Sequence, residues 1–201
     1  MLGFLLAPAR AYPQKVLTKT LLNPGISSIS INGDLCYEVV LETEDTREVT
    51  VEARMEGEYG KDLLVLFREE GSTLFVTARF GPEFKLPNDK LGAHKVVSVR
   101  MKVTVPRGES VRLNAQTCQV VTSGHYKDLK IAFNDGSCRL GHTALNSQVR
   151  TASAPIYANL CRGDVEARSA YGEVFLEPIP SGDHHLLLHS THGNITVTCA
   201  L

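Results

Sequence analysis

Two pairs of segments decide the fold: Val111-Arg112-Leu113-Asn114 with Cys118-Gln119-Val120-Val121-Thr122, and Leu129-Lys130-Ile131-Ala132 with Gly136-Ser137-Cys138-Arg139-Leu140. The second pair repeats the first eighteen residues later, with apolar side chains shared at Val111 and Leu129, Leu113 and Ile131, and Val120 and Cys138. Taking Cys118, Gly136, Ala154, Gly172 and Gly193 as anchors, the spacings are 18, 18, 18 and 21 residues. Seven residues before each anchor stand Val111, Leu129, Ser147, Val165 and Leu186. Five before stand Leu113, Ile131, Val149, Ala167 and Leu188. Two after come Val120, Cys138, Ile156, Val174 and Ile195, and four after come Thr122, Leu140, Ala158, Leu176 and Val197.

Eighteen of these twenty residues are apolar, whereas a chain that is 43% hydrophobic would place about nine there by composition alone. Pairs at two-residue spacing on either side of a small anchor are the grammar of two short strands per unit, each turning alternate side chains inward. A single unit cannot bury its own apolar face, so the units are expected to stack in sequence order. The predicted architecture is all-β, with N-terminal antiparallel strands continuing into a short single-stranded β-solenoid of about five 18-residue coils. Gly136, Gly172 and Gly193 suit its corners, because a tightly bent backbone is cheapest without a Cβ. The three extra residues before Gly193 are assigned to Glu177–Asp183, where Pro178, Pro180 and Gly182 make a bulge.

Upstream, alternation continues in Ser28–Ile31, Cys36–Leu41, Glu48–Met55 and Leu63–Phe67. Leu63–Arg68 and Thr73–Phe80, joined at Glu69-Glu70-Gly71-Ser72, read as a hairpin. A long strand, Lys95–Val105, ends at Pro106-Arg107-Gly108. The division expected is a leader-like segment over 1–11, a linker over 12–25, a strand region over 26–108 and repeats over 109–201, the last two packed as one domain. The leader reading rests on the apolar run Met1–Ala7 and the small-x-small patterns Ala7-Pro8-Ala9 and Ala9-Arg10-Ala11. It predicts export, with a mature chain starting near Tyr12.

Twenty-one Lys and Arg against 22 Asp and Glu leave a net charge of -1, too small a field to draw nucleic acid, and Trp is absent. No run approaches the roughly 20 apolar residues of a transmembrane helix. The five cysteines (Cys36, Cys118, Cys138, Cys161, Cys199) include no C-x-x-C pair. Because they fall in different columns, with sequence neighbours out of step, no stabilising disulfide framework is expected.

The strand end Val103-Thr104-Val105-Pro106 and the segments Gly163-Asp164-Val165-Glu166-Ala167 and Ser169-Ala170-Tyr171-Gly172-Glu173-Val174 resemble the bacterial "putative adhesin" domain family of unknown function. That family is similar to the heads of autotransporter adhesins, and the resemblance spans roughly residues 26–201. It implies an exported β-solenoid of the cell envelope with no established catalytic residues. Ala154-Pro155 in place of a glycine corner, and Ser147 in an apolar column, depart from the pattern.

No nucleophile elbow, metalloprotease helix or phosphate loop is present, so no catalytic or cofactor-binding residue is assigned. Asp128, Asp164 and Asp183 recur at unit ends, as paired glycosidase carboxylates would, but turn Asp residues bonding local amides account for them. His185, His189 and His192 are weak metal candidates, since zinc needs three or four converging ligands. A ladder of His125, His142 and Cys161 is weaker still. Two loops are the preferred partner-binding elements: Gly81–Ala93 with Lys85, Lys90, His94 and Lys95 around it, and the bulge carrying Asp183 and His184. The function expected is a non-catalytic adhesin-like module for a protein or glycan at the cell surface, without nucleic acid, cofactor or transmembrane span. The alternative is an envelope assembly component that self-associates through the end of its stack.

Overall fold

A computed structural model describes residues 15–22, 25–56, 63–83 and 98–199. The expected export segment, most of the Gly81–Ala93 loop and Lys85, Lys90, His94 and Lys95 lie outside the described residues. Among the described residues the protein is all-β, with fifteen strands in one large, mostly parallel, open sheet.

The N-terminal strands are β1 (Lys15–Leu22), β2 (Ser28–Asn32), β3 (Cys36–Glu44), β4 (Glu48–Glu56), β5 (Leu63–Glu70), β6 (Thr73–Phe80) and β7 (Ser98–Pro106). They are followed by β8 (Ser110–Asn114), β9 (Thr117–Phe133), β10 (Asp135–Thr151), β11 (Ile156–Asn159), β12 (Asp164–Ser169), β13 (Val174–Leu176), β14 (His185–Ser190) and β15 (Ile195–Thr198). One wing runs β1-β4-β7-β3-β9-β10-β11-β15-β13. The other runs β5-β6-β2-β8-β9-β10-β14-β12, so the two long strands β9 and β10 belong to both.

The stretch expected as a linker therefore contributes a strand, β1, antiparallel to β4. The N-terminal region is also not simply antiparallel. The β5/β6 hairpin, β1/β4 and β4/β7 are antiparallel, but β2 lies parallel to β6 and β8, and β3 parallel to β7 and β9. The alternation that made these segments strands was blind to direction, since a side chain's inward or outward position has the same period in either case.

The 18-residue spacing is the pairing register of β9 with β10: Cys118 faces Gly136, Val120 faces Cys138, Leu129 faces Ser147 and Ile131 faces Val149. Each column then continues upstream. Ile29 joins the column of Val111 and Leu129, and Val39 joins that of Val120 and Cys138. These residues are buried in one apolar cluster fed by both wings.

The expected sequential order fails at the end. Ile156 of β11 pairs with Ile195 of β15, which pairs in turn with Val174 of β13. On the other wing Val149 of β10 pairs with Leu188 of β14, which pairs with Ala167 of β12. The last segment thus inserts between its two predecessors. Gly193 shows the insertion directly: a Cβ there would lie 2.2 Å from the Ala154 carbonyl oxygen. Of the proposed corner glycines, Gly136 has the left-handed φ of 114° expected of it.

Two further expectations are corrected by this order. Cys161 and Cys199 form a disulfide with Cα atoms 4.5 Å apart. They seemed out of step only because their segments were assumed not to be neighbours, whereas Leu160 N–H donates to Thr198 O at 2.9 Å. Val174 and Leu176, assigned to inward columns, are exposed because β13 is the outermost strand of its wing. The Glu177–Asp183 bulge is the return path that carries the chain back to the inserted position. It is held by Gly163 N–H donating to Pro180 O and by Arg162 Nε donating to Ser181 O.

Candidate functional site

The parity that buries Ile29, Val111, Leu129 and Leu186 turns their neighbours outward, so the second wing carries ordered columns of outward-facing side chains, half-buried to exposed. One column runs Thr73, Ser28, Ser110, Asp128, Asn146, His185, Asp164. The next runs Phe75, Ser30, Arg112, Lys130, Gln148, Leu187, Glu166. The third runs Thr77, Asn32, Asn114, Ala132, Arg150, His189, Arg168. Neighbours within a column are about 4.8 Å apart, and columns are about 6.8 Å apart along each strand.

Side-chain bonds fix part of this face. Ser110 Oγ donates to Asp128 Oδ2 at 3.1 Å, and Asn146 Nδ2 donates to Asp128 Oδ1 at 2.9 Å. The Asp128 carboxylate is therefore held by neighbouring strands, and not by turn amides as expected. His185 Nδ1 lies 3.6 Å from Asp164 Oδ2, and Arg168 pairs with Glu166 at 2.9 Å. Near the β12 edge the face dips into a groove lined by Lys130, Asn146, Gln148, Asp164, Glu166 and Leu187 among others. A second depression lies at the opposite end, with Asn32, Arg68, Phe75, Arg79 and Asn114 in its walls.

The histidines proposed for metal do not converge. His185 and His189 share the face as expected, but four residues along one strand separate them by about 13 Å. His192 stacks on Tyr171, with ring centroids 4.9 Å apart. Of the weaker ladder, His125 is hydrogen-bonded to Thr143 and Cys161 is consumed by the disulfide.

His142 is buried. Its Nδ1 is hydrogen-bonded to Thr122 Oγ1 at 2.7 Å and its Nε2 to Ser147 Oγ at 3.0 Å. Burial, reinforced by nearby His184, pushes its pKa down to about 4. This arrangement explains why Ser147 is tolerated in an apolar column: the polar groups satisfy one another. Of the bulge residues, Asp183 is exposed and His184 is half-buried, with Nδ1 3.1 Å from Ala144 O.

Sequence reasoning missed Arg112, Lys130, Gln148 and Arg150. The signal was available, since each sits one residue after an inward position at the same 18-residue spacing, but only inward columns were read.

No family model matches the chain, and no curated protein does. Among solved structures, a "putative cell adhesion protein" from Clostridium sporogenes aligns over 94% of this chain and 100% of its own, with a TM-score of 0.63 at 12% identity. The fold is shared with that protein. The resemblance to "putative adhesin" domains read from the sequence is thereby borne out for the fold. Two others overlay more loosely: a "putative lipid binding protein" from Parabacteroides distasonis (TM-score 0.35, 11% identity, 90% and 96% of the two chains) and a "putative adhesin" from Parabacteroides merdae (0.34, 10%, 90% and 96%).

Proposed function

We propose that this chain is an exported, non-catalytic binding module of adhesin type, a short β-solenoid whose ordered outer face contacts a ligand of the cell envelope or cell surface. The observation that carries the reading is the face itself: seven-rung columns of outward-facing, mostly polar and charged side chains, half-buried to exposed, over an interior filled with aliphatic residues. A face ordered by pairing loses little side-chain and backbone freedom on binding, which favours contact over an extended ligand. The Cys161–Cys199 disulfide supports an oxidising compartment, where such bonds persist. Among the described residues no helix is long and apolar enough to cross a membrane. The test is co-sedimentation of the purified, oxidised protein with envelope fragments. Saturable binding is expected, and its absence over a full titration refutes the module.

A second reading has its own observation. The outer strand β13 exposes Val174, Phe175 and Leu176 at 40%, 59% and 44%. Edge groups left unpaired among the described residues, beside apolar side chains, suit strand addition by another chain. An assembly role predicts concentration-dependent sedimentation that Phe175→Asp abolishes. A monomer at all concentrations refutes it.

A further inference from the structure

We propose that Arg112, Lys130 and Arg150 form an anion-binding site for an acidic polysaccharide, a chain of sugars bearing sulfate or carboxylate on spaced units. This rests on the binding-module reading and names the ligand class of its face.

Arg112 and Lys130 are direct cross-strand neighbours on β8 and β9. Arg150 stands one strand further, beside Ala132. All three are exposed, and among the described residues none has a carboxylate within ion-pair distance. Asp128 is the acid nearest Arg112 and Lys130 in register, but both its oxygens already accept hydrogen bonds, from Ser110 and Asn146, and Glu166, two rungs from Arg150, is paired with Arg168. Setting like charges directly opposite in a sheet is destabilising. Here it happens without a neutralising partner, in a protein whose net charge is only -1.

Ala132 completes the site. It separates Asn114 from Arg150 in its own column and follows Lys130 on its own strand, so a short side chain lies among three cations and an amide. A short residue there leaves the surrounding donors unobstructed, and Gln148, between Lys130 and Leu187 in its column, extends them.

Spacing selects among anions. Two rungs separate Arg112 from Arg150, which together with one column step places their Cα atoms about 12 Å apart. Asp164 and Glu166 follow further along the same face. Duplex nucleic acid, with one charge per about 1.7 Å, would set phosphates against those acids as well as against the cations. A polymer with charges spaced along a flat ribbon can meet the cations and offer hydroxyl groups to Asn114, Asn146 and Gln148. Adsorption to an anionic bilayer needs an apolar face as well as charge, and Leu187 is the large aliphatic residue these columns expose.

The experiment measures affinity of the full, oxidised protein for a sulfated polysaccharide, a polyuronate, neutral dextran, duplex DNA and anionic phosphatidylglycerol vesicles. Binding to one or both acidic polysaccharides, weakening as salt is raised, is expected, with dextran inert. Preference for sulfate or carboxylate identifies which group the site takes. The triple substitution Arg112→Gln/Lys130→Gln/Arg150→Gln should weaken binding by about tenfold or more, from severalfold per exposed ion contact. Arg139→Gln, on the other wing, should leave it within about twofold. Gln148→Lys, which adds a cation beside Lys130, should tighten it and provides the test if the triple variant fails to fold. No binding to either acidic polysaccharide, equal binding by the folded triple variant, or tighter binding to DNA or vesicles overturns the proposal. Envelope binding that survives the triple substitution overturns this site alone and leaves the module standing. Absence of envelope binding by the unaltered protein removes the module itself.

Discussion

Reducing the Cys161–Cys199 bond should destabilise the protein substantially, and the size of the effect follows from where the two cysteines lie. They are separated by 38 residues in sequence, and their Cα atoms are 4.5 Å apart because β15 is paired directly with β11. Had the segments stacked in sequence order, β13 would stand between them and the two cysteines would be about two strand spacings apart, near 9.6 Å. A disulfide cannot span that gap. The bond is therefore a direct report on the inserted order. By loop-closure entropy, a loop of this length contributes about 4 kcal/mol. For a chain of this size each kcal/mol moves the melting temperature by about 2–4 °C, so reduction should lower it by roughly 10 °C. The assay is a thermal melt followed by circular dichroism, with and without reductant, alongside Cys161→Ser/Cys199→Ser. The double variant should melt where the reduced protein does and ignore reductant. Alkylation without reduction should leave these two cysteines unmodified. Once unfolded, the protein should accept label at Cys36, Cys118 and Cys138, which are free and buried in the native state. All five cysteines alkylated without reduction, or a melt indifferent to reductant, would refute the inserted order.

Leu140→Asp should cost several kcal/mol in urea unfolding, since it places an unpaired charge in a column where the native side chain is 4% exposed, whereas Val174→Asp on the open edge should cost less than about 1 kcal/mol. Equal costs would show that β13 is covered. Gly136→Ala should destabilise by more than about 1 kcal/mol, because the residue has φ of 114° and the new Cβ would lie 2.0 Å from the Cys118 carbonyl oxygen. A variant as stable as the parent would displace that corner. His142 has a folded pKa depressed from 6.5 to about 4, so the unfolded chain binds the extra proton between those values. Its contribution is complete above about pH 6.5 and is lost as pH falls towards 4, amounting to about 3 kcal/mol. Urea titrations at pH 7.5 and 4.5 measure the loss. His142→Gln should remove most of the difference, and an unchanged pH slope would place the dependence elsewhere.

The inward columns were legible because burial of alternate aliphatic side chains leaves a period in the sequence that no other constraint erases. Leu129, Ile131, Cys138 and Val149 stand in the structure at the rungs the 18-residue spacing assigned them. Strand direction was not legible in β2 and β3, since a period of two survives reversal. The buried His142 cluster was hidden for a different reason. Its partners Thr122 and Ser147 look like lapses in apolar columns until the histidine that joins them is placed between them. The cationic face escaped because Arg112, Lys130 and Arg150 read singly as solvated charges. Their proximity is a property of register, and only the paired strands give them a common surface.

The order of the last two segments is also a matter of energy that column-matching alone could not rank. Both offer four inward residues in the same register: Val165, Ala167, Val174 and Leu176 in the first, Leu186, Leu188, Ile195 and Val197 in the second. The second set carries four more side-chain carbons. Covering them on both sides is worth about 3 kcal/mol more than covering the first set. One segment must form the open end of the stack, and the cheaper one to expose is the one with Ala167 and two valines. The chain reaches that arrangement through the 177–184 return, whose Pro178 and Pro180 keep it from adding a strand of its own. The Cys161–Cys199 bond then fixes the more apolar segment in its inner place. Leu186, Leu188, Ile195 and Val197 are accordingly buried, at 7%, 0%, 0% and 1% exposure, while Val174 and Leu176, on the same face but at the open edge, are left exposed at 40% and 44%. Burial chose the order, and sequence proximity did not.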